Sequence, residues 1–285
     1  MENKEYNILI LLAAHKGNRF IREQLDSILN QDYHDWHLVV SDDGTETQEI
    51  LQEYADKHPD KITHYKSGRT FGTAQGHFMH LLKTFHNAKY IMFSDQDDVW
   101  HTDKVRITLD KMHESEAKYG GDLPLLVFTD LRWVNNTLGV IAESYDRYNN
   151  RRYINGQIDE ERRCSFNWMF LFCQSAGCTI MMNKALGEFV ALKDFNCKHY
   201  AHDHYVALWA SLLGRCEYLD VPTIDYRLHN NNVCARKRET AIEWLRKRAH
   251  MIFVKVADDT FQYQNVQDIV SRISMVILKT KIYSF

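Results

Sequence analysis

Short apolar runs alternate with segments of helical periodicity over the first 94 residues, and that alternation leaves very few architectures open. Residues 7–13 (NILILLA) and 90–94 (YIMFS) are continuous apolar runs, 36–41 (WHLVVS) is nearly so, and 62–65 is shorter. A strand covered on both faces has this pattern. Between the runs, Phe20, Ile21, Leu25, Ile28 and Leu29 recur at helical spacing, then Ile50, Leu51 and Tyr54, then Phe78, Leu81, Leu82 and Phe85. Strands separated by helices of this length imply an α/β fold: a mostly parallel sheet flanked by helices on both faces. Ligands of such sheets bind beyond the carboxyl ends of the strands. Residues 13–17, 42–44 and 95–98 each follow directly on an apolar strand, so the three loops are expected at one crevice.

Beyond residue 100 the pattern is less regular. A strand is expected at 125–129, polar loops over 135–163, and an apolar stretch over 166–182 broken at Gly177. Residues 203–213 read as a helix with Val206, Leu208, Trp209, Leu212 and Leu213 apolar, and the chain closes in two helices, about 240–257 and 261–283. This divides 285 residues into an α/β domain, 1–235, and a C-terminal helical extension, 236–285. A net charge of -3 lacks the basic excess of a nucleic-acid binder. No run of about 18 apolar residues predicts a spanning helix. Met1-Glu2-Asn3-Lys4-Glu5 has no basic stretch leading into an apolar one, so no signal peptide is expected. The six cysteines form no CxxC pair, which points to reduced, mostly buried thiols in a cytoplasmic protein.

The chemistry concentrates in Asp95-Gln96-Asp97-Asp98. Carboxylates at i and i+2 on a turning segment can face one centre, and hard oxygen ligands suit Mg²⁺ or Mn²⁺. Such an ion stabilises the charge that grows on a departing diphosphate. An Asp-rich turn capping the next helix has the same composition. The second acidic turn, Asp42-Asp43, placed after another core strand, favours the cation-and-phosphate reading.

The segment HKGNRFIREQLDSILNQDYHDWHLVVSDDGTETQ, followed by FSDQDDVW, resembles family 2 glycosyltransferases of the GT-A fold, and SDQDDVW is closest to the bacterial rhamnosyltransferase-like branch. SAGCTIMMNKAL, HDHYVALWASLLG and TIDYRLHNNNV resemble that family's acceptor-side motifs in the same order, so the likeness covers roughly residues 6–235. It implies an inverting transfer of rhamnose or another hexose from a dTDP- or UDP-sugar to a hydroxyl of a glycan or lipid-linked glycan, such as O-antigen or capsule, with Mg²⁺ or Mn²⁺ as cofactor. It also implies roles. Ala13 and Asp43 match positions that hold the base, and Asp95 one near the ribose. Gln96 and His15 fall at the same nucleotide-sugar site. Asp97 matches the metal ligand, Asp203 the catalytic base, and His229 a histidine that completes the metal or diphosphate site. The chain departs from the family at His15-Lys16, where Tyr-Asn is usual, and at His77-Phe78, where Asn-Phe is usual. An imidazole can still stack on a base.

Other readings stand beside these. Asp203 lies among His199, His202 and His204, which together offer zinc ligands, although Ala201 breaks the known HxHxDH pattern. A carboxylate general base at a helix N-terminus, stabilised there, fits better. Arg147, Arg151, Arg152, Arg162 and Arg163 read as a solvated loop, with a mobile lid or acceptor loop as the functional alternative. Trp168 and Trp209 read as core. The tail 240–255 mixes Arg246, Lys247 and Arg248 with Trp244, Leu245, Ile252 and Phe253. That suits an interfacial helix at the inner face of the plasma membrane, and equally a helix packed on the domain or in a homo-oligomer. A metal-dependent nucleotidyltransferase would need a second cationic phosphate clamp, for which Lys16 and Arg19 are the candidates. A non-catalytic sugar-nucleotide-binding homologue would lack the base that Asp203 offers.

Overall fold

The structure is a computed structural model and describes residues 5–147, 160–172, 175–193 and 201–229. β1 (Tyr6–Ala14) alternates its buried side chains between two cores. Leu9 and Leu11 pack with Phe78, Met79, Leu81 and Leu82 of α3 (Ala74–Thr84). Ile8, Ile10 and Leu12 pack with Ile21, Leu25 and Ile28 of α1 (Ile21–Leu29) and with Leu51 of α2 (Gln48–Lys57). Both faces of the sheet are therefore covered, which is why the strand is apolar throughout. Each such buried Leu or Ile contributes about 1.5–3 kcal/mol of apolar transfer.

β1 lies between β2 (Trp36–Asp42) and β4 (Ala88–Ser94), parallel to each, and β3 (Ile62–His64) extends the parallel block beyond β2. The strands end in step: Ala14 pairs with Asp42 and Leu12 with Ser94. The three loops that follow therefore leave the sheet at one edge. β8 (Ile180–Asn183) runs antiparallel between β4 and β6 (Leu125–Val134). β9 (Arg215–Arg227) runs parallel to β6 and carries β5 (Val99–Trp100) on its far side, in the order β3-β2-β1-β4-β8-β6-β9-β5. Short β7 (Val140–Ala142) pairs with β6. α4 (Lys104–Tyr119), α5 (Glu160–Arg163), α6 (Phe166–Phe172), α7 (Lys184–Ala191) and α8 (His202–Leu213) complete the described elements. The expected α/β architecture is present, with most strands pointing the same way.

The structure differs from the sequence reading at the polar stretches. β6 continues five residues past 129, because Asp130 and Arg132 find partners inside the fold. Asp130 accepts from the amides of Leu131 and Asp146 and from the Ser144 hydroxyl, and Arg132 forms a two-pronged bond to Asp225 at 2.6 and 2.8 Å. The expected loops of 135–163 contain β7 and α5. Arg163 is not solvated: it is buried, paired with Asp146 through both terminal guanidinium nitrogens, and stacked 4.2 Å from the Tyr218 ring. Trp168 and Trp209 are core residues, as expected. Cys178 and Cys216 are buried, and Cys164 is partly buried. No helix among the described residues is long and apolar enough to cross a membrane. The extension at 236–285, together with His199, Arg151, Arg152 and Cys173, Cys197 and Cys234, lies outside the described residues.

Candidate active site

The three loops meet. The Asp43 amide donates to the Ala14 carbonyl at 2.8 Å, joining the first two. Gln96 joins the first and third: its Oε1 accepts from the His15 amide at 2.7 Å and its Nε2 donates to the His15 carbonyl at 2.8 Å. Ala13 is partly buried at the strand end, and the His15 side chain is exposed on the rim.

The two aspartates after β2 divide their work. Asp42 builds the turn, accepting from Gly44 N at 3.1 Å and Thr47 N at 3.0 Å, and so starts α2. Asp43 faces the segment before α3. Its carboxylate accepts from the Phe71 and Gly72 amides. Gly72 has φ of +69°, a backbone conformation that glycine adopts without strain. Phe71 stacks face to face on His77, with centroids 4.7 Å apart. His77 in turn reaches Ser41 Oγ at 2.9 Å, and burial pulls its imidazole down to about 4, so it is neutral at pH 7. The end of the crevice expected to hold the base is thus a carboxylate beside an aromatic pair.

The acidic loop is anchored from below. Arg227, at the end of β9, is buried and bonds the Asp97 carbonyl at 2.9 Å, the Asn136 carbonyl at 2.9 Å and Glu23 at 2.6 Å. Its backbone amide donates to Asp98 Oδ1 at 3.1 Å, and its guanidinium lies 4.4 Å from the Phe20 ring. Two residues on, His229 stacks on Phe20 and places Nε2 2.7 Å from Asp97 Oδ2. The structure therefore brings together the two residues expected to hold a metal.

Asp95, Asp98 and Cys178 form a second, deeper group whose ligand atoms lie within 4.8 Å of one another. Burial pushes Asp98 well above the usual carboxylate range, the charges of Asp97 and Asp95 adding to it. Lys104 is also fully buried, donates to Thr223 Oγ1 at 3.1 Å, and is pulled down to about 8 by burial against the opposing influence of Cys178 and Asp98. The Asp97–His229 pair is partly exposed, and its donor atoms are spaced about as adjacent ligands are around an octahedral ion. The oxygen and imidazole donors there suit Mg²⁺ or Mn²⁺ better than a set containing a thiol.

Asp203 sits in the first turn of α8. Its Oδ2 accepts from Gly177 N at 3.1 Å and its Oδ1 from His204 N at 2.7 Å. Asp95 is pushed up to about 7, by burial first and then by the charges of Asp97 and Asp203, so the three carboxylates share one field. The neighbouring histidines turn away from Asp203. His202 stacks on Phe78 at 4.3 Å, and His204 bonds the Met169 carbonyl at 2.8 Å. They do not form a zinc site with it.

Sequence reasoning did not single out Glu23, Arg227 or Lys104 for this site. Along β9, Arg227 alternates with Ile224 and Tyr226 on the side of Thr223 and Asp225, a polar face by sequence, so nothing local signalled its burial.

A sequence profile of Glycosyl transferase family 2 matches residues 10–175. The dTDP-rhamnosyl transferase RfbG of Shigella flexneri is 28% identical over 273 residues, which are 88% of this chain and 86% of that protein. The Escherichia coli UDP-Glc:alpha-D-GlcNAc-diphosphoundecaprenol beta-1,3-glucosyltransferase WfgD is 21% identical, over 84% of this chain and 85% of its own length. Among solved structures, S. aureus TarS 1-349 in complex with UDP-GlcNAc superposes with a TM-score of 0.61 at 14% identity, covering 98% of this chain and 73% of that one. Mannosyltransferase PcManGT from Pyrobaculum calidifontis, in complex with GDP-Man and Mn2+, gives 0.59 at 14% identity, covering 99% and 84%. At these identities the structural likeness concerns the fold, which is that of GT-A glycosyltransferases.

Proposed function

The chain belongs to glycosyl transferase family 2, and on that premise we propose that it is a metal-dependent, inverting enzyme acting on a dTDP- or UDP-sugar. It transfers rhamnose or another hexose to a hydroxyl of a growing, lipid-linked cell-surface glycan. The relatives named for a dTDP-rhamnosyl donor and for a diphosphoundecaprenol acceptor support that choice of substrates. The observation that carries the reading is the meeting of the three loops, Asp43 joined to Ala14 and Gln96 to His15, with the Asp97–His229 pair on the third loop and Asp203 acting electrostatically on Asp95.

Asp43, its carboxylate fixed by the Phe71 and Gly72 amides, takes the imide proton of a pyrimidine as a further hydrogen bond. Asp95 lies deeper and receives the ribose hydroxyls. Asp97 and His229 would hold Mg²⁺ or Mn²⁺, which would supply positive charge to the departing diphosphate. Asp203, held by Gly177 N–H and His204 N–H, takes the proton from the acceptor hydroxyl as that oxygen attacks the anomeric carbon. Attack from the face opposite the diphosphate inverts the configuration. The preference for pyrimidines is supported by the dTDP- and UDP-sugar relatives, since a carboxylate acceptor would also take a hydrogen bond from guanine N1–H.

Donor turnover measured with dTDP-, UDP- and GDP-sugars, each with Mn²⁺ and with EDTA, tests this. Turnover of the pyrimidine donors, abolished by EDTA, is expected. Full activity in EDTA, or activity with GDP-sugars alone, contradicts it.

A further inference from the structure

We infer that Gln96 is a positioning residue for the donor, a clasp that holds the loop after β1 against the acidic loop. It rests on the glycosyltransferase reading above. The evidence is a matched pair of bonds across 81 residues: His15 N–H to Gln96 Oε1 at 2.7 Å, and Gln96 Nε2 to the His15 carbonyl at 2.8 Å. One side-chain amide thereby satisfies both backbone groups of one residue, as a neighbouring strand would. The β1–β4 pairing ends at Leu12 and Ser94, and Gln96 continues it beyond the strand ends, where the loops would otherwise separate.

The β1 loop is shaped to receive this amide. A Cβ on Gly17 would lie 2.2 Å from Gln96 Oε1 and 2.7 Å from its Cδ, so a side chain there evicts the clasp. Lys16 adopts φ of +54°, the left-handed turn that bends the chain around it. Two consequences follow for the donor. The His15 backbone is occupied by Gln96, which leaves the exposed imidazole as that residue's contact with a nucleotide. Gln96 is also committed to His15, and does not itself bind the sugar nucleotide. One flanking carboxylate, Asp97, meets His229 at 2.7 Å, so the clasp ties the His15 turn to the loop that carries the Asp97–His229 pair.

Two substitutions in the full-length chain test this. Gln96→Met keeps the length and removes both bonds. Gly17→Ala keeps Gln96 and removes its seat. Each is expected to raise donor KM about tenfold, the scale of one or two lost hydrogen bonds, with a smaller change in kcat. The His15 amide should exchange with deuterium faster in both. The double variant should be no worse than the worse single one, because both act on the same contact. A damaged Gln96→Met beside a normal Gly17→Ala would mean that Gln96 touches the donor directly, and overturns the clasp. Lowered melting temperatures with unchanged KM and His15 exchange also overturn it. If the wild-type protein turns over no nucleotide sugar, the glycosyltransferase reading falls. His15 exchange in Gln96→Met then still decides whether the clasp exists.

Discussion

Replacing Gly177 with alanine adds one methyl group at a point where the fold has no room for it. The new Cβ would lie 2.5 Å from His202 Nε2 and 3.2 Å from its Cε1, roughly 1 Å inside a comfortable contact. The imidazole cannot retreat, being stacked on Phe78 at 4.3 Å and met edge-on by Phe93 at 5.1 Å. Neither ring nitrogen has a hydrogen-bond partner among the described residues, so packing alone holds the ring. Overpacking of this kind costs about 1–3 kcal/mol. At roughly 2–4 °C per kcal/mol for a domain of this size, the melting temperature falls by several degrees. The displaced backbone also carries the Gly177 amide away from Asp203 Oδ2, now 3.1 Å distant, and turnover falls about tenfold with that bond. Circular-dichroism melting and steady-state transfer on the same preparation read both effects. Adding His202→Ala makes room for the methyl, so the double variant should be less destabilised than the sum of the singles. A Gly177→Ala protein with unchanged melting and turnover would refute the reasoning.

Two further outcomes follow from the site. The buried His77 has a folded value of about 4 against an ordinary 6.5, so the unfolded chain binds the proton first as pH falls. Its share of stability is present above pH 6.5 and is lost toward pH 4, up to roughly 3 kcal/mol, and His77→Asn should flatten that arm of a urea-unfolding series against pH. Asp97→Ala should abolish transfer and weaken nucleotide-sugar binding in calorimetry, because the diphosphate loses its counter-charge; unchanged binding and turnover would count against the metal's placement.

The strands and the three converging loops were legible because they follow from local pattern. Continuous apolar runs mark strands buried on both faces, and a parallel sheet puts every following loop on one edge. The short β5 carries too little pattern to stand alone: two residues, Val99 and Trp100, held by pairing with Asp225 and Ile224 more than 120 positions later. Arg163 was misread as solvated because its partners, Asp146 and Tyr218, are supplied by the fold. Arg227 and Glu23 are 204 positions apart, and nothing local ties an arginine in a strand to the underside of an acidic loop. Gln96 stood in the motif as a residue near the nucleotide, yet only the geometry shows both ends of its amide spent on His15. Lys104 follows an N-cap aspartate and reads as an ordinary helix-start lysine, while the structure buries it behind Asp98.

In the proposed mechanism Asp203 activates the acceptor. Asp203→Asn preserves the shape of the side chain and removes its basicity, so the decisive measurement is turnover on a preparation whose donor affinity and bound Mn²⁺ are measured in parallel. Wild-type donor and metal binding is expected, with turnover reduced roughly 10²-fold or more, the scale of general-base catalysis. Near-wild-type turnover would contradict it and place the base elsewhere in the cleft.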